Sequence, residues 1–299
     1  MYNVHENFVV DCLTSLSAIE KDMYMKNKNI IIVTGASSGM GKEFVKQIDK
    51  KFPKVDEIWL IARRKEILKD LAKSCNHVCR ILAYDLCEKQ AQQEIRTLLE
   101  REQPRITLLI NSAGYGILGP FYQDKTAVED GFSQDKKTAI DTNWMNEQTG
   151  MVSLNCEELT AMTHLCIPLI KKGGRIIQLA SSAAFLPQPK FAVYAATKSY
   201  VLSFSRALNE ELRSRQIHVT AVCPGPVDTE FFDRAEKGND TLFIKKIVMA
   251  KPEKVVEKAL LDARNKKDVS VYSLPIQAFY VVSKLLPHKL MLIIMRAMK

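Results

Sequence analysis

The 299-residue chain contains no CxxC pair. Its seven cysteines (Cys12, Cys75, Cys79, Cys87, Cys156, Cys166, Cys223) are an odd number scattered through apolar runs. That argues against a disulfide framework and for reduced thiols in a cytoplasmic protein. Cys75-Asn-His77-Val-Cys79 faintly suggests metal ligands, but no second cluster completes a tetrahedral site, and no metal is expected. Uncharged apolar runs of about 18 residues are also missing, which argues against a spanning helix. The first 20 residues lack a basic start, and Asp11 interrupts the Phe8–Leu13 patch, so no signal peptide is expected. Internal repeats are absent, and no linker marks a second domain.

What is present is an ordinary globular composition, 46% hydrophobic and 26% charged. The net charge of +9 is unevenly spread. Residues 241–299 carry 12 basic and 4 acidic side chains, whereas residues 1–240 are nearly balanced at 31 and 30. Val269–Lys299 has no acidic residue at all.

Apolar runs rich in Ile, Val and Leu recur at Asn29–Thr34, Glu57–Ala62, Cys79–Tyr84, Ile106–Ile110, Arg175–Ala180, His218–Cys223 and Asp268–Ser273. Several lack polar alternation, as strands buried on both faces do. Segments of helical spacing, such as Lys42–Phe52 and Ala195–Arg215, lie between them. Such alternation predicts βαβ units and a doubly wound parallel sheet of the Rossmann type, a three-layer α/β/α single domain. Residues 1–28 read as an N-terminal extension and residues 29–251 as a dinucleotide-binding catalytic domain. A polar insertion falls at about 120–150, and residues 252–299 form a basic, apolar C-terminal extension.

After the first strand, glycines 35, 39 and 41 fall within Thr34-Gly-Ala-Ser-Ser-Gly-Met-Gly41. They permit a tight turn and close backbone approach to a pyrophosphate, which the next helix N-terminus would attract. The spacing is GxxxGxG rather than the general GxGxxG, and the plain alternative is a glycine turn without a ligand. An NAD-binding unit should show a carboxylate some 20 residues on. Here the second strand ends in Arg63-Arg64, two guanidinium groups suited to a 2′-phosphate, so NADP(H) is expected rather than NAD(H). A solvated basic loop is the alternative.

Tyr194-Ala-Ala-Thr-Lys198 opens a long helix and puts phenol and ammonium on one face. A neighbouring cation should lower the phenol pKa and make Tyr194 a general acid/base. The pair follows Ser181, at a strand end where ligands of such sheets bind, by 13 residues.

TGASSGMG, Asn111-Ser-Ala-Gly114, Ser181, Tyr194-Ala-Ala-Thr-Lys198 and Pro224-Gly225-Pro-Val-Asp-Thr229, in this order over about residues 29–230, resemble the short-chain dehydrogenase/reductase family. The resemblance implies a catalytic set of Asn155, Ser181, Tyr194 and Lys198, with Ser182 the alternative to Ser181. It implies that Gly35, Ser37, Ser38, Gly39 and Met40 surround the pyrophosphate and ribose. Asp85 and Leu86 would meet the adenine, and Asn111, Ala113 and Gly114 the adenosine side. Pro224, Gly225, Val227 and Thr229 would seat the nicotinamide, and Lys198 would also hold its ribose. The Asn111-to-Asn155 gap is longer than the family usually shows, and the residues at 120–150 account for it.

The apolar candidates Tyr115, Phe185, Leu186, Phe191, Val193, Phe231, Phe232, Leu242, Phe243, Ile244 and Ile247 suggest a bulky lipophilic ketone or secondary alcohol, hydroxysteroid-like or fatty-acyl-like. A place in lipid metabolism would follow. Two other readings are a 3-ketoacyl thioester reductase and a non-catalytic NADP(H)-binding regulator or scaffold. The tail either packs on the domain, contacts another subunit of a homo-oligomer (dimer or tetramer), or touches a membrane surface peripherally. No nucleic-acid module is recognisable.

Overall fold

The apolar runs become parallel strands in the computed structural model, which describes residues 27–122, 141–235 and 249–297. They are β1 (Asn29–Thr34), β2 (Glu57–Ile61), β3 (Val78–Leu82), β4 (Arg105–Asn111), β5 (Ile170–Leu179), β6 (His218–Val222) and β7 (Val269–Ser270), in the order β3-β2-β1-β4-β5-β6-β7. Every neighbouring pair is parallel. The order reverses beside β1, so the crevice between the carboxyl ends of β1 and β4 is where a ligand of such a sheet binds.

Successive side chains of β1 point to opposite faces, and both faces are covered. Ile31 and Val33 pack with Phe44, Val45 and Ile48 of α1 (Gly39–Lys51), Leu68 and Leu71 of α2 (Lys65–Lys73), and Val255, Val256 and Ala259 of α8 (Pro252–Arg264). Ile30 and Ile32 pack with Ile95 and Leu99 of α3 (Lys89–Glu102), Met162 and Cys166 of α5 (Leu159–Cys166) and Leu208 of α6 (Ala192–Glu211). The result is a three-layer α/β/α domain. It explains why the runs at β1 and β2 show no polar alternation.

Further helices are α4 (Thr142–Val152), α7 (Phe231–Ala235), α9 (Leu274–Leu285) and α10 (His288–Ala297). Helix α4 begins inside the segment read as an insertion, so its last residues are helical, capped by Asp141 accepting from the Trp144 amide. Residues 123–140, and residues 1–26 of the expected N-terminal extension, lie outside the described residues. Beyond α8, which packs on α1, the tail folds back: Phe279 and Tyr280 of α9 meet Phe185 at ring-centroid distances of 5.9 and 4.7 Å. His77 of the Cys-His-Cys stretch is held by Asp49 at 2.8 Å and the Phe52 carbonyl at 3.1 Å.

Candidate active site

A cleft of about 700 Å³ opens at the carboxyl ends of β1, β2, β4 and β5. Its floor is the turn from β1 into α1. Gly35 adopts φ +68°, and an added Cβ would come within 2.8 Å of the Ala113 amide nitrogen, so only glycine fits both the turn and the neighbouring strand. The Thr34 hydroxyl accepts from the amides of Ser112 and Ala113, both at 3.1 Å, locking the two strand ends together. Ser38 is the N-cap of α1, makes no side-chain cap bond, and no acidic residue lies in the first turn. The amides there face a cleft suited to an anion.

Arg63 and Arg64 stand at one end of this cleft. Arg63 pairs with Asp85 at 3.4 Å. Arg64 donates to the Ser37 hydroxyl and carbonyl, both at 3.3 Å, and reaches Glu230 at 3.0 Å. Asp85 also accepts from the Cys87 amide at 3.1 Å.

At the other end lies Tyr194, 6% exposed. Phe191 stacks on its ring at 4.3 Å and Phe231 tilts against it at 5.4 Å. Gly116 faces this sandwich closely: a Cβ there would lie 2.7 Å from Tyr194 and 2.9 Å from each phenylalanine. Burial pushes the phenol up to about 12, partly offset by its hydrogen bond with Ser181. Burial also pushes Lys198 down to about 8, against the nearby thiols of Cys156 and Cys223.

Contrary to the expectation from their spacing, Lys198 does not bring the Tyr194 phenol below its usual value. The ammonium does lie over the phenol ring, 5.6 Å from its centroid, but it donates to the Leu179 carbonyl at 2.7 Å. Desolvation is the largest cause at both groups, and both shift towards their neutral forms.

Asn155 is fully buried, in a π-helical turn at Ser153–Glu158 between α4 and α5. Such turns widen a helix locally and re-aim side chains. Its Oδ1 accepts from the Tyr115 amide at 3.0 Å, and its Nδ2 donates to the Tyr115 carbonyl at 2.9 Å and the Thr197 hydroxyl at 3.1 Å. Thr197 donates in turn to the Tyr194 carbonyl at 2.8 Å. Gly114 lies against both the Asn155 amide oxygen and the Lys198 ammonium.

The cleft is lined by Gly35, Ser37, Ser38, Gly39, Met40, Arg63, Arg64, Asp85, Leu86, Ala113, Gly114, Ser181, Tyr194, Lys198, Pro224, Gly225, Val227 and Thr229, each expected from the sequence. Asn111 is not among the lining residues. It is 2% exposed and donates to Thr163 at 2.9 Å and Gln178 at 3.0 Å, bracing the floor from behind. A strand-end position predicts proximity but not which way the side chain turns.

Phe185, Leu186 and Val193 do not line the cleft either. Phe185 anchors α9 instead. Tyr115, Phe191, Phe231 and Phe232 do line it, whereas Leu242, Phe243, Ile244 and Ile247 lie outside the described residues. Leu118 and Gln188, which no motif marked, also stand on the cleft wall, as does Glu230, the first residue of the loop expected to cover the substrate.

The profile of the family described as short chain dehydrogenase matches residues 29–240. The chain belongs to that family. Its members are oxidoreductases acting on CH–OH and C=O groups. Serine 3-dehydrogenase of Agrobacterium fabrum is 31% identical over 205 residues, 67% of this chain and 73% of the relative. An NADP-dependent 3-hydroxy acid dehydrogenase of Escherichia coli (strain K12) is 32% identical over 71% of this chain and 78% of its own. Among solved structures, a short-chain dehydrogenase from Sphingobium yanoikuyae in complex with NADPH superposes with a TM-score of 0.67, at 24% identity, covering 85% of this chain and 91% of that one. At that identity the superposition speaks for the fold.

Proposed function

We propose that this protein is an NADP(H)-dependent oxidoreductase that interconverts a bulky lipophilic ketone and its secondary alcohol. The observation that carries the reading is the buried Tyr194, bonded to Ser181 and flanked by aromatic rings, one helical turn before Lys198.

The donor set fits the cofactor. Two guanidinium groups and the Ser37 hydroxyl at one end of the cleft match a 2′-phosphate, and the uncapped amides at Ser38–Met40 match a pyrophosphate. Asp85 and Leu86 would border the adenine, Ala113 and Gly114 the adenosine side, and Pro224, Gly225, Val227 and Thr229 the nicotinamide. Bound NADPH supplies a hydride to the carbonyl carbon, and NADP⁺ accepts one in the reverse direction.

The chain's own residues handle the proton. Tyr194, held protonated by burial, donates from its phenol to the carbonyl oxygen, while the Ser181 hydroxyl orients that oxygen. Lys198, as the ammonium, stabilises the phenolate left behind. Asn155 positions both by fixing the Tyr115 backbone and Thr197.

Of the cleft's lining residues, Tyr115, Phe191 and Phe231 pack in the apolar cluster around Tyr194, and the lining cations are confined to Lys198 and to the two arginines at the far end. Such a wall desolvates an apolar substrate and offers a carboxylate little compensation. This supports a hydroxysteroid-like compound. The two curated relatives favour a second reading, a small 3-hydroxy acid or its keto form.

NADPH and NADH oxidation over a panel of steroid ketones, acyl thioesters, simple ketones and 3-keto acids separates the readings. The expected result is highest kcat/KM on the bulky ketones with NADPH. Turnover confined to small keto acids, or equal use of NADH, contradicts it.

A further inference from the structure

Helix α9 is apolar on two sides. Inward, Ile276, Phe279 and Tyr280 pack against the cluster around Phe185, and the buried Ser283 hydroxyl bonds back to the Tyr280 carbonyl. Outward, Leu274, Ala278, Val281 and Leu285 follow one another at intervals of four, three and four, and all are exposed. Leu274 is 78% exposed, Val281 54% and Leu285 75%. Spacing of this kind makes one continuous stripe on a helix. In α10 the pattern continues, for Met291 turns inward and is buried while Leu290 and Ile293 face out. An exposed apolar stripe of this kind on a folded protein marks an interaction site.

The charges beside the stripe identify the partner. Lys284 and Lys289 are exposed along its edge, and Lys284 lies 4.1 Å over the Tyr280 ring. No acidic residue occurs anywhere in residues 269–299. We infer that this face of α9 and α10 docks on an anionic lipid surface, with Leu274, Val281, Leu285, Leu290 and Ile293 among the acyl chains and the cations at the headgroups. Pairing of this face with itself about a two-fold axis would gather Lys284 and Lys289 of both copies along one seam, with no carboxylate in the segment to answer them. Among the described residues no helix is long and apolar enough to cross a membrane. The 12-residue α9 therefore lies on the surface rather than through it. Ile276 packs on Gly225, so the docking helix sits directly behind one wall of the cleft.

The inference does not depend on the reaction, and its test reads binding alone. The full-length protein is co-sedimented with phosphatidylcholine vesicles, with and without phosphatidylglycerol, at low and high salt. Binding to the phosphatidylglycerol vesicles is expected, weakened by salt. The double substitution Val281→Ser, Leu285→Ser should lower the partition coefficient by at least about tenfold, and Lys284→Gln, Lys289→Gln by several-fold. Both pairs are exposed, so the circular dichroism should be unchanged. No binding to anionic vesicles, or equal binding by the serine variant, overturns the inference. So does dissociation of a dimer on the same substitution, which would assign the face to a second copy of the chain.

Discussion

Burial moves Tyr194 and Lys198 towards their neutral forms, the phenol up to about 12 and the ammonium down to about 8. The two shifts act differently on the proposed reduction. Tyr194 remains protonated and able to donate across the usual assay range. Lys198 gives up its proton well below its ordinary value of 10.5, and with it the charge that steadies the phenolate. The kcat/KM for carbonyl reduction should therefore fall about tenfold per pH unit as pH rises beyond about 8. A steady-state pH profile checks this, and a profile level up to the ordinary lysine value would contradict it. The Tyr194 and Lys198 positions were legible in the sequence because a four-residue interval on a helix fixes a shared face. Their ionisation was not, because desolvation depends on Phe191, Phe231 and the Gly116 backbone, which other segments bring into place.

The strands were legible because burial on both faces demands unbroken apolar runs, and the observed bounds fall close to those runs. Where they differ, the backbone explains it. Helix α1 starts at Gly39, three residues before the apolar periodicity becomes visible, because its glycine-rich first turn also packs closely: a Cβ on Gly41 would collide with the Gly35 carbonyl. Strand β5 begins at Ile170 with a register shift that lets Lys171–Gly174 interrupt the apolar pattern. The π-helical turn that buries Asn155 leaves no trace in side-chain periodicity.

A polar cluster at the far end of β2 and β3 illustrates a different gap. Arg80 lies 5.0 Å over Trp59 and bonds Glu57 at 3.2 Å and Glu102 at 2.7 Å, both carboxylates being buried. Burial alone would raise the Glu102 pKa, but Arg80 and Arg101 hold it below 4.5. Its contribution to stability is therefore present above the ordinary value and lost as pH falls through the lowered one. Arg80→Ala should cost about 2 kcal/mol in urea unfolding at neutral pH, because it removes the guanidinium shared by two buried carboxylates and leaves Glu102 with Arg101 and Glu57 with the Trp59 indole, and should narrow the gap to wild type below pH 4.5. An unchanged midpoint would show the cluster to be dispensable.

For the molecule as a whole, the net charge divides along functional lines. Residues 1–268, which include the sheet's covering helix α8, carry 39 basic and 34 acidic side chains, and the cations on the cleft are local: Arg63 and Arg64 at one end and Lys198 at the other. Residues 269–299 add four basic side chains and no acidic one. The sequence showed that the tail is basic and apolar. The fold adds that one face of α9 is spent on Phe185 while the opposite face is left outward. The fold class followed from strand–helix alternation, and the cleft from the motifs at the strand ends. The sequence did not show that Asn111 braces the floor from behind or that Phe185 belongs to the tail, because side-chain direction is decided by tertiary neighbours.

The central claim is that Tyr194 moves the proton in a cleft that holds NADP(H). The measurement that tests it most directly is NADPH oxidation by Tyr194→Phe with a bulky ketone, alongside NADPH binding by fluorescence titration. The phenylalanine keeps the aromatic packing and removes only the hydroxyl. Turnover should fall by about 10² to 10⁴ while the NADPH Kd stays within about twofold. Wild-type turnover in the variant would contradict the account.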